Sequence, residues 1–144
     1  MDLQQVTRSQ QLAALKMLKE AIVKCPPEVW DAPEDSDRFW FKAHHALYWA
    51  HRHLRATHRG FGSWKGHRRP RPGAPTSKDE LIAYAEFIED QLLSTGVILR
   101  QEKLEQEIAD IRHIQQHTGE LFERLGSRKG TILHWTEHVR RKPK

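Results

Sequence analysis

The chain has 144 residues and a formal net charge of +5. A chain of this length buries enough surface to fold without a disulfide, and its single cysteine, Cys25, cannot form one internally. No apolar run approaches the roughly 20 residues that cross a bilayer, and the polar N-terminus is unlike a signal or transit peptide. We therefore expect one domain over residues 1–144, in a soluble cytoplasmic protein.

The first two predicted elements are helices. Apolar residues recur at three- and four-residue spacings over residues 3–24, which indicates an amphipathic helix. Two prolines after Cys25 end it, and the acidic stretch that follows is predicted as a loop. A second helix is expected over residues 37–57, with Ser36 or Asp37 as its cap. Bulky apolar side chains lie on nearly all its sides, which is typical of a central helix in a bundle.

A long loop separates the second helix from the third. Residues 59–77 contain four glycines and three prolines, which predicts a loop without regular structure. Ser77 and Glu80 have the spacing of a capping box and mark the start of the third helix, which we expect to end at Gly96.

The fourth helix is predicted over residues 100–126, where Gly126 would end it. Its main apolar stripe is expected to include Ile108, Ile111 and Leu125. A short tail helix is predicted over residues 132–139. No segment alternates apolar and polar residues as strands do. The predicted class is therefore all-α, in the form of a four-helix bundle.

Histidines provide the main functional signal. His113 and His117 lie four residues apart in the fourth helix, so both imidazoles can reach one metal ion. This spacing has low specificity, because His134 and His138 share it. His113 also lies off the predicted apolar stripe, so the pair is either exposed or lines a polar cleft.

Three motifs that follow one another along the chain resemble those of the DinB-like four-helix-bundle proteins. They are Trp40-x4-His45-x-Leu47-Tyr48-Trp49, then Pro75-Thr76-Ser77-Lys78-x-Glu80-Leu81-x2-Tyr84, then Arg112-His113-Ile114-Gln115-x-His117-x-Gly119-x-Leu121. The resemblance covers most of the chain. It implies a divalent metal site formed by one histidine of the second helix, His45, and by His113 and His117.

Three positions depart from the pattern of that family. Glu120 follows Gly119 where a neutral glutamine is common, and His51 occupies a position that is often acidic. His44 is a rival first ligand, because it lies closer than His45 to the helical face that carries His51. The resemblance favours His45.

Three imidazole ligands leave one coordination position open, which is typical of catalytic rather than structural zinc sites. Zinc and nickel are the preferred candidates, although imidazole also suits copper and iron. Such an ion acidifies water or a thiol. The resemblance implies a thiol-dependent transferase or a hydrolase-like enzyme that acts with a low-molecular-weight thiol on a small-molecule substrate.

We also expect a homodimer. Five tryptophans and a largely apolar second helix present more hydrophobic surface than a small bundle readily covers.

Two alternatives stay open. No acidic residue occurs between Asp37 and Asp79, and the basic segment 59–71 interleaves Phe61 and Trp64 with cations that include Lys65. Such a composition can stack bases and neutralise phosphates, so nucleic-acid binding ranks second. In the metal hypothesis, the same loop would chiefly affect substrate affinity, through Arg68 and Arg69. The other alternative is a metal-stabilised structural protein without turnover. Cys25 follows a helix and precedes two prolines, and we interpret it as a structural or incidental thiol.

Overall fold

A computed structural model describes residues 2–64, 68–97 and 100–140. The elements are helices α1 (Leu3–Lys24), α2 (Pro27–Trp30) and α3 (Phe39–Thr57), strand β1 (His58–Arg59), helix α4 (Lys78–Ser94), strand β2 (Gly96–Val97) and helix α5 (Gln101–Lys129). Within those ranges the only sheet is the two-residue antiparallel pair of β1 and β2. The all-α class is confirmed.

The long helices share one apolar core. Helix α1 packs against α4 and α5, and α3 packs against the same two helices, most extensively against α5. Helix α3 is buried on several sides, as its composition predicts, and Ala43, Ala46 and Ala50 are fully buried where it meets its neighbours. Full burial of one large apolar side chain, such as Leu47 or Leu54, contributes about 1.5–3 kcal/mol.

Helix α3 lies antiparallel to α5, and this arrangement positions the candidate site. Lys42, near the start of α3, forms an ion pair with Glu120, late in α5. Thr57, at the end of α3, donates a hydrogen bond to Glu107, early in α5. Residues midway along one helix therefore face residues midway along the other.

The sequence predicted capping residues for two helices, and one of these two predictions is confirmed. Ser77 accepts a hydrogen bond from the backbone N–H of Glu80 at 3.1 Å and caps α4 as predicted. Helix α3 instead begins at Phe39 after Arg38, with no side-chain cap, so the expected cap at Ser36 or Asp37 is wrong.

Two helix ends differ from the sequence expectation. Helix α4 ends at Ser94, and Gly96 belongs to β2. Helix α5 continues through Gly126 to Lys129, because a glycine inside a helix weakens it by only about 1 kcal/mol. Gly130 ends α5 in the left-handed region, at φ 60°, where glycine is favoured.

Two further expectations are corrected. The acidic segment contains the one-turn helix α2, whose first position suits Pro27 because that N–H has no helical partner. The predicted tail helix 132–139 is absent, and that segment lies along α1. Gln10 donates to the Glu137 carbonyl at 2.9 Å, and Lys24 donates to the Ile132 carbonyl at 2.8 Å. Because α1 side chains bind these backbone groups, the tail needs no internal helical bonds.

The buried face of α5 also differs from the predicted stripe. Ile108 is 58% exposed, although Leu125 is buried as expected. The face runs through Glu107, Asp110, Ile114, Thr118, Leu121 and Leu125. Two carboxylates thus occupy positions that an apolar pattern could not identify. In the part of the chain that the structure describes, no helix has the length and apolar character needed to span a membrane.

Candidate metal centre

His45 of α3 and the pair His113 and His117 of α5 converge in the interface between the two helices. Each offers one ring nitrogen, and the three nitrogens lie within 4.8 Å of one another. The ring centroid of His45 lies 5.3 Å from that of His113 and 4.9 Å from that of His117. All three side chains are half-buried. Over the described ranges, no other group of three possible ligand residues comes this close together.

The distance between the paired histidines fits a shared ion. Their Nε2 atoms are 3.1 Å apart. Two nitrogens that bind a tetrahedral zinc ion at about 2.0–2.1 Å are separated by about 3.3 Å. Without an ion, the same contact is a hydrogen bond in which one imidazole donates. The donor set, three imidazoles and no carboxylate, suits zinc or nickel.

Electrostatics keep the three imidazoles in the form that binds metal. Burial lowers the pKa of all three. Neighbouring histidines lower the pKa of His113 and His117 further, and that of His117 falls to about 4. All three rings are therefore neutral at pH 7, as coordination requires.

Glu120, the departure from the family pattern, lies beside this group. Its Oε1 is 3.5 Å from Nδ1 of His117, and its Oε2 pairs with Lys42. Lys42 also binds Asp37 at 2.7 Å, so the carboxylate is held from its far side. Carboxylates in this position orient metal-bound imidazoles and raise their basicity. At 3.5 Å the contact is too long for a hydrogen bond, and Nδ1 of His117 has no other partner within the described residues.

The rival ligand His44 faces a different helix. Its Nδ1 contacts Thr76 Oγ1 at 2.7 Å, and its ring meets that of Tyr84 edge-on at 6.4 Å. His51 is also turned away, with Nδ1 2.7 Å from the Tyr84 hydroxyl and Nε2 2.9 Å from the Gly62 carbonyl. The structure thus brings His45, and not His44, to the pair on α5.

A second polar group, which sequence reasoning missed, lies one turn before His113. Asp110 is only 1% exposed, and Gln11 of α1 donates to its Oδ2 at 3.1 Å. Its Oδ1 is 3.4 Å from Nδ1 of His53, whose side chain is partly open to solvent. Burial raises the pKa of Asp110, and the nearby Asp110 carboxylate raises the pKa of His53.

Glu107 extends this group toward the end of α3. Its Oε1 lies 2.9 Å from Nε2 of His58, and Gln11 donates to its Oε2 at 2.9 Å. Burial raises the pKa of Glu107, but the interactions with His58, Thr57 and Gln11 outweigh burial and lower it overall. In the sequence, the three- and four-residue spacings that place Glu107 and Asp110 on the same helical face as Ile114 could have indicated their burial. Carboxylates are ordinarily expected on a solvated face, so this signal was not used.

The aromatic residues of segment 59–71 pack against the protein. Phe61 is buried in the core. Trp64 stacks on Tyr84 at 5.7 Å with an interplanar angle of 12°, and it lies 4.9 Å from Phe87. These two rings, on which the nucleic-acid hypothesis depended, are therefore not presented for base stacking. Lys65, which the same hypothesis used, lies outside the described residues.

The two arginines assigned to substrate affinity differ in their surroundings. Arg68 forms an ion pair with Glu80 at 3.1 Å. The guanidinium of Arg69 lies over the ring of Trp49, 5.4 Å from its centroid. Trp49 follows His45 by one helical turn, and their ring centroids are 6.3 Å apart. Of these two arginines, only Arg69 is thereby linked to the cluster of three histidines.

The remaining candidates have no place in this centre. Cys25 is fully buried, and burial raises the pKa of its thiol to about 12, which makes it a poor nucleophile. His134 contacts Glu20 at 2.7 Å in the non-helical tail. Because the tail is not a helix, the four-residue spacing of His134 and His138 does not place the two side chains on one face.

Comparisons with known proteins add no assignment. A scan against protein-family models, a search of curated proteins and a search of solved structures each found no match.

Proposed function

We propose that this protein binds one divalent metal ion, zinc or nickel, through His45, His113 and His117, within a four-helix bundle of the DinB-like type. The observation that carries the proposal is the convergence of three neutral imidazoles, with two Nε2 atoms 3.1 Å apart. The order of the three sequence motifs supports the family, and the contacts of α1 and α3 with α4 and α5 support the bundle.

The proposed activity is thiol-dependent transfer, or a related hydrolysis, on a small-molecule substrate. A bound divalent ion with an open position supplies Lewis acidity, which favours the thiolate or hydroxide form of a nucleophile at neutral pH. The chain contributes the ligands and keeps them unprotonated. Glu120, which is paired with Lys42, lies 3.5 Å from Nδ1 of His117, on the side of the ring opposite the Nε2 that faces His113.

A screen with low-molecular-weight thiols and chromogenic electrophiles tests the proposed activity. We expect turnover that stops on exhaustive chelation, returns with zinc or nickel, and is lost in His117→Ala. His134→Ala is the matched control, because His134 lies outside the cluster. Turnover that survives chelation, or the loss of all three histidines, would contradict the proposal.

A non-catalytic metal-stabilised protein is the second candidate, and one observation favours it. The three ligands belong to two helices, so an ion would cross-link α3 and α5. In that case zinc would raise the melting temperature while the thiol screen stays negative.

Self-association as a homodimer stays a prediction. The apolar sides of α3 are covered within the chain, which weakens the reason that its composition supplies. Exposed Ile132 and Trp135 in the tail offer apolar surface instead. Sedimentation that shows a monomer at high micromolar concentration would rule it out.

A further inference from the structure

Trp49 is flanked by two cationic side chains beside the metal centre. The guanidinium of Arg52 lies 5.2 Å from the ring centroid of Trp49, and that of Arg69 lies 5.4 Å from it. Arg52 belongs to α3, whereas Arg69 comes from the segment before α4. Two parts of the chain thus bring positive charge to one aromatic ring, whose negative face attracts each cation.

Tyr48 joins the two arginines. Hydrogen bonds from Arg69 and Arg52 to the Tyr48 side chain lower the pKa of its hydroxyl. Both guanidiniums therefore lie near the Tyr48 hydroxyl.

Among the described residues, the two cations lack carboxylate partners. In the described part of the chain, neither Arg52 nor Arg69 forms an ion pair with an acidic side chain. Arg68 and Arg128, by contrast, pair with Glu80 and Asp35. Each guanidinium carries five donors in a planar fork, and one phenol oxygen satisfies few of them. Paired, partly unsatisfied forks are suited to bidentate binding of an oxyanion.

The position of this cluster relates it to the three histidines. The rings of Trp49 and His45 are 6.3 Å apart and meet edge to face. A small molecule with its anionic group on Arg52 and Arg69 would therefore extend along Trp49 toward the histidines. With Trp49 and His45 only 6.3 Å apart, one end of a small substrate can be fixed at the arginines while its other end reacts at the histidines.

We infer that Arg52, Arg69 and Tyr48 form a binding site for the oxyanion group, carboxylate or phosphate, of a small-molecule substrate. This inference deepens the proposed function, since it assigns an anionic substrate to that site. Binding of the anion itself requires no metal. The guanidinium forks supply the attraction, and Trp49 supplies a flat apolar wall for the part of the ligand that leads to His45.

The indole N–H of Trp49 reports binding directly. We would titrate the chelator-treated protein with sodium succinate and, separately, with sodium phosphate, and follow the indole signals by two-dimensional NMR at constant ionic strength kept with sodium chloride. Trp49→Phe assigns the signal. A saturable shift of the Trp49 signal is expected, and the two titrations distinguish a preference for carboxylate from one for phosphate.

Matched variants separate this site from general surface charge. Arg52→Gln and Arg69→Gln should each weaken anion binding by roughly tenfold. Arg68→Gln removes the same charge from an arginine already paired with Glu80, and Arg55→Gln removes one from the same helix, so both should leave affinity within about twofold. Circular dichroism checks that each variant folds.

Three results would overturn the inference. One is an equal shift with chloride alone, and another is equal weakening by Arg68→Gln and Arg69→Gln. The third is a single-stranded oligonucleotide that binds through Arg52 and Arg69 more tightly than either small anion, which would assign the cluster to nucleic acid. Zinc binding by the variants separates the proposed metal site from the proposed anion site. The Arg52 and Arg69 variants should lose anion binding and still bind zinc. His45→Ala should lose zinc binding and still bind the anion.

Discussion

His44, the histidine turned away from the cluster of His45, His113 and His117, should make folding stability sensitive to acid. Burial lowers the pKa of His44 to about 4, from an ordinary value of 6.5. The unfolded chain therefore takes up a proton near pH 6.5, whereas the folded chain resists it until near pH 4. The contribution of His44 to the free energy of unfolding is therefore fully present above pH 6.5, and it is lost as the pH falls from 6.5 to about 4.

The size of the effect follows from the two pKa values. Across the whole window, the single histidine corresponds to about 3 kcal/mol of unfolding free energy, and about 2 kcal/mol of it is lost between pH 7 and pH 5. His44→Asn removes the titrating group and keeps a polar atom near the Thr76 hydroxyl, which Nδ1 contacts at 2.7 Å. Between pH 7 and pH 5, the unfolding free energy of the variant should therefore fall by about 2 kcal/mol less than that of the wild type.

Urea denaturation at pH 7 and pH 5, with a chelator present, measures this difference. His134→Asn is the control, because the His134 side chain is 69% exposed and should leave the pH dependence unchanged. If His44→Asn and the wild type lose equal stability between pH 7 and pH 5, then His44 is not a buried neutral histidine, which would undermine its exclusion from the proposed metal site.

Three further outcomes are expected. Asp110→Asn should lower the pKa of His53, because the carboxylate raises it, and a histidine NMR titration in which the pKa stays unchanged would refute that pairing. Glu120→Gln should weaken zinc affinity by roughly tenfold in a competition titration, because it removes the carboxylate beside His117; undiminished affinity would show that Glu120 has no orienting role. Native Cys25 should react with iodoacetamide at pH 7.5 far more slowly than in urea, and equal rates would contradict its burial and raised pKa.

The long helices were predictable because their information is local. Apolar periodicity defined α1 to its last residue, and the Ser77 cap fixed the start of α4. The tail was mispredicted because α1 side chains, including Gln10 and Lys24, bind its backbone groups. Such long-range contacts leave no periodic pattern within the tail itself.

The candidate site shows the same division. The spacing of His113 and His117 follows from helix geometry, and the resemblance of the motifs to the DinB-like family favours His45 as their companion. The choice between His44 and His45 depends on α3 facing α4 on one side and α5 on the other, which helical periodicity alone does not reveal. Asp110 was missed because its burial depends on Gln11, which lies on a helix remote in sequence.

A zinc competition titration with a chromophoric chelator, on protein purified without a histidine tag, tests the metal centre most directly. We expect about one zinc ion per chain in the wild type and in His44→Asn. We expect loss of this site in His45→Ala, His113→Ala and His117→Ala. Unchanged zinc content after His113→Ala or His117→Ala would contradict the proposed metal site, as would zinc binding that is lost in His44→Asn and retained in His45→Ala.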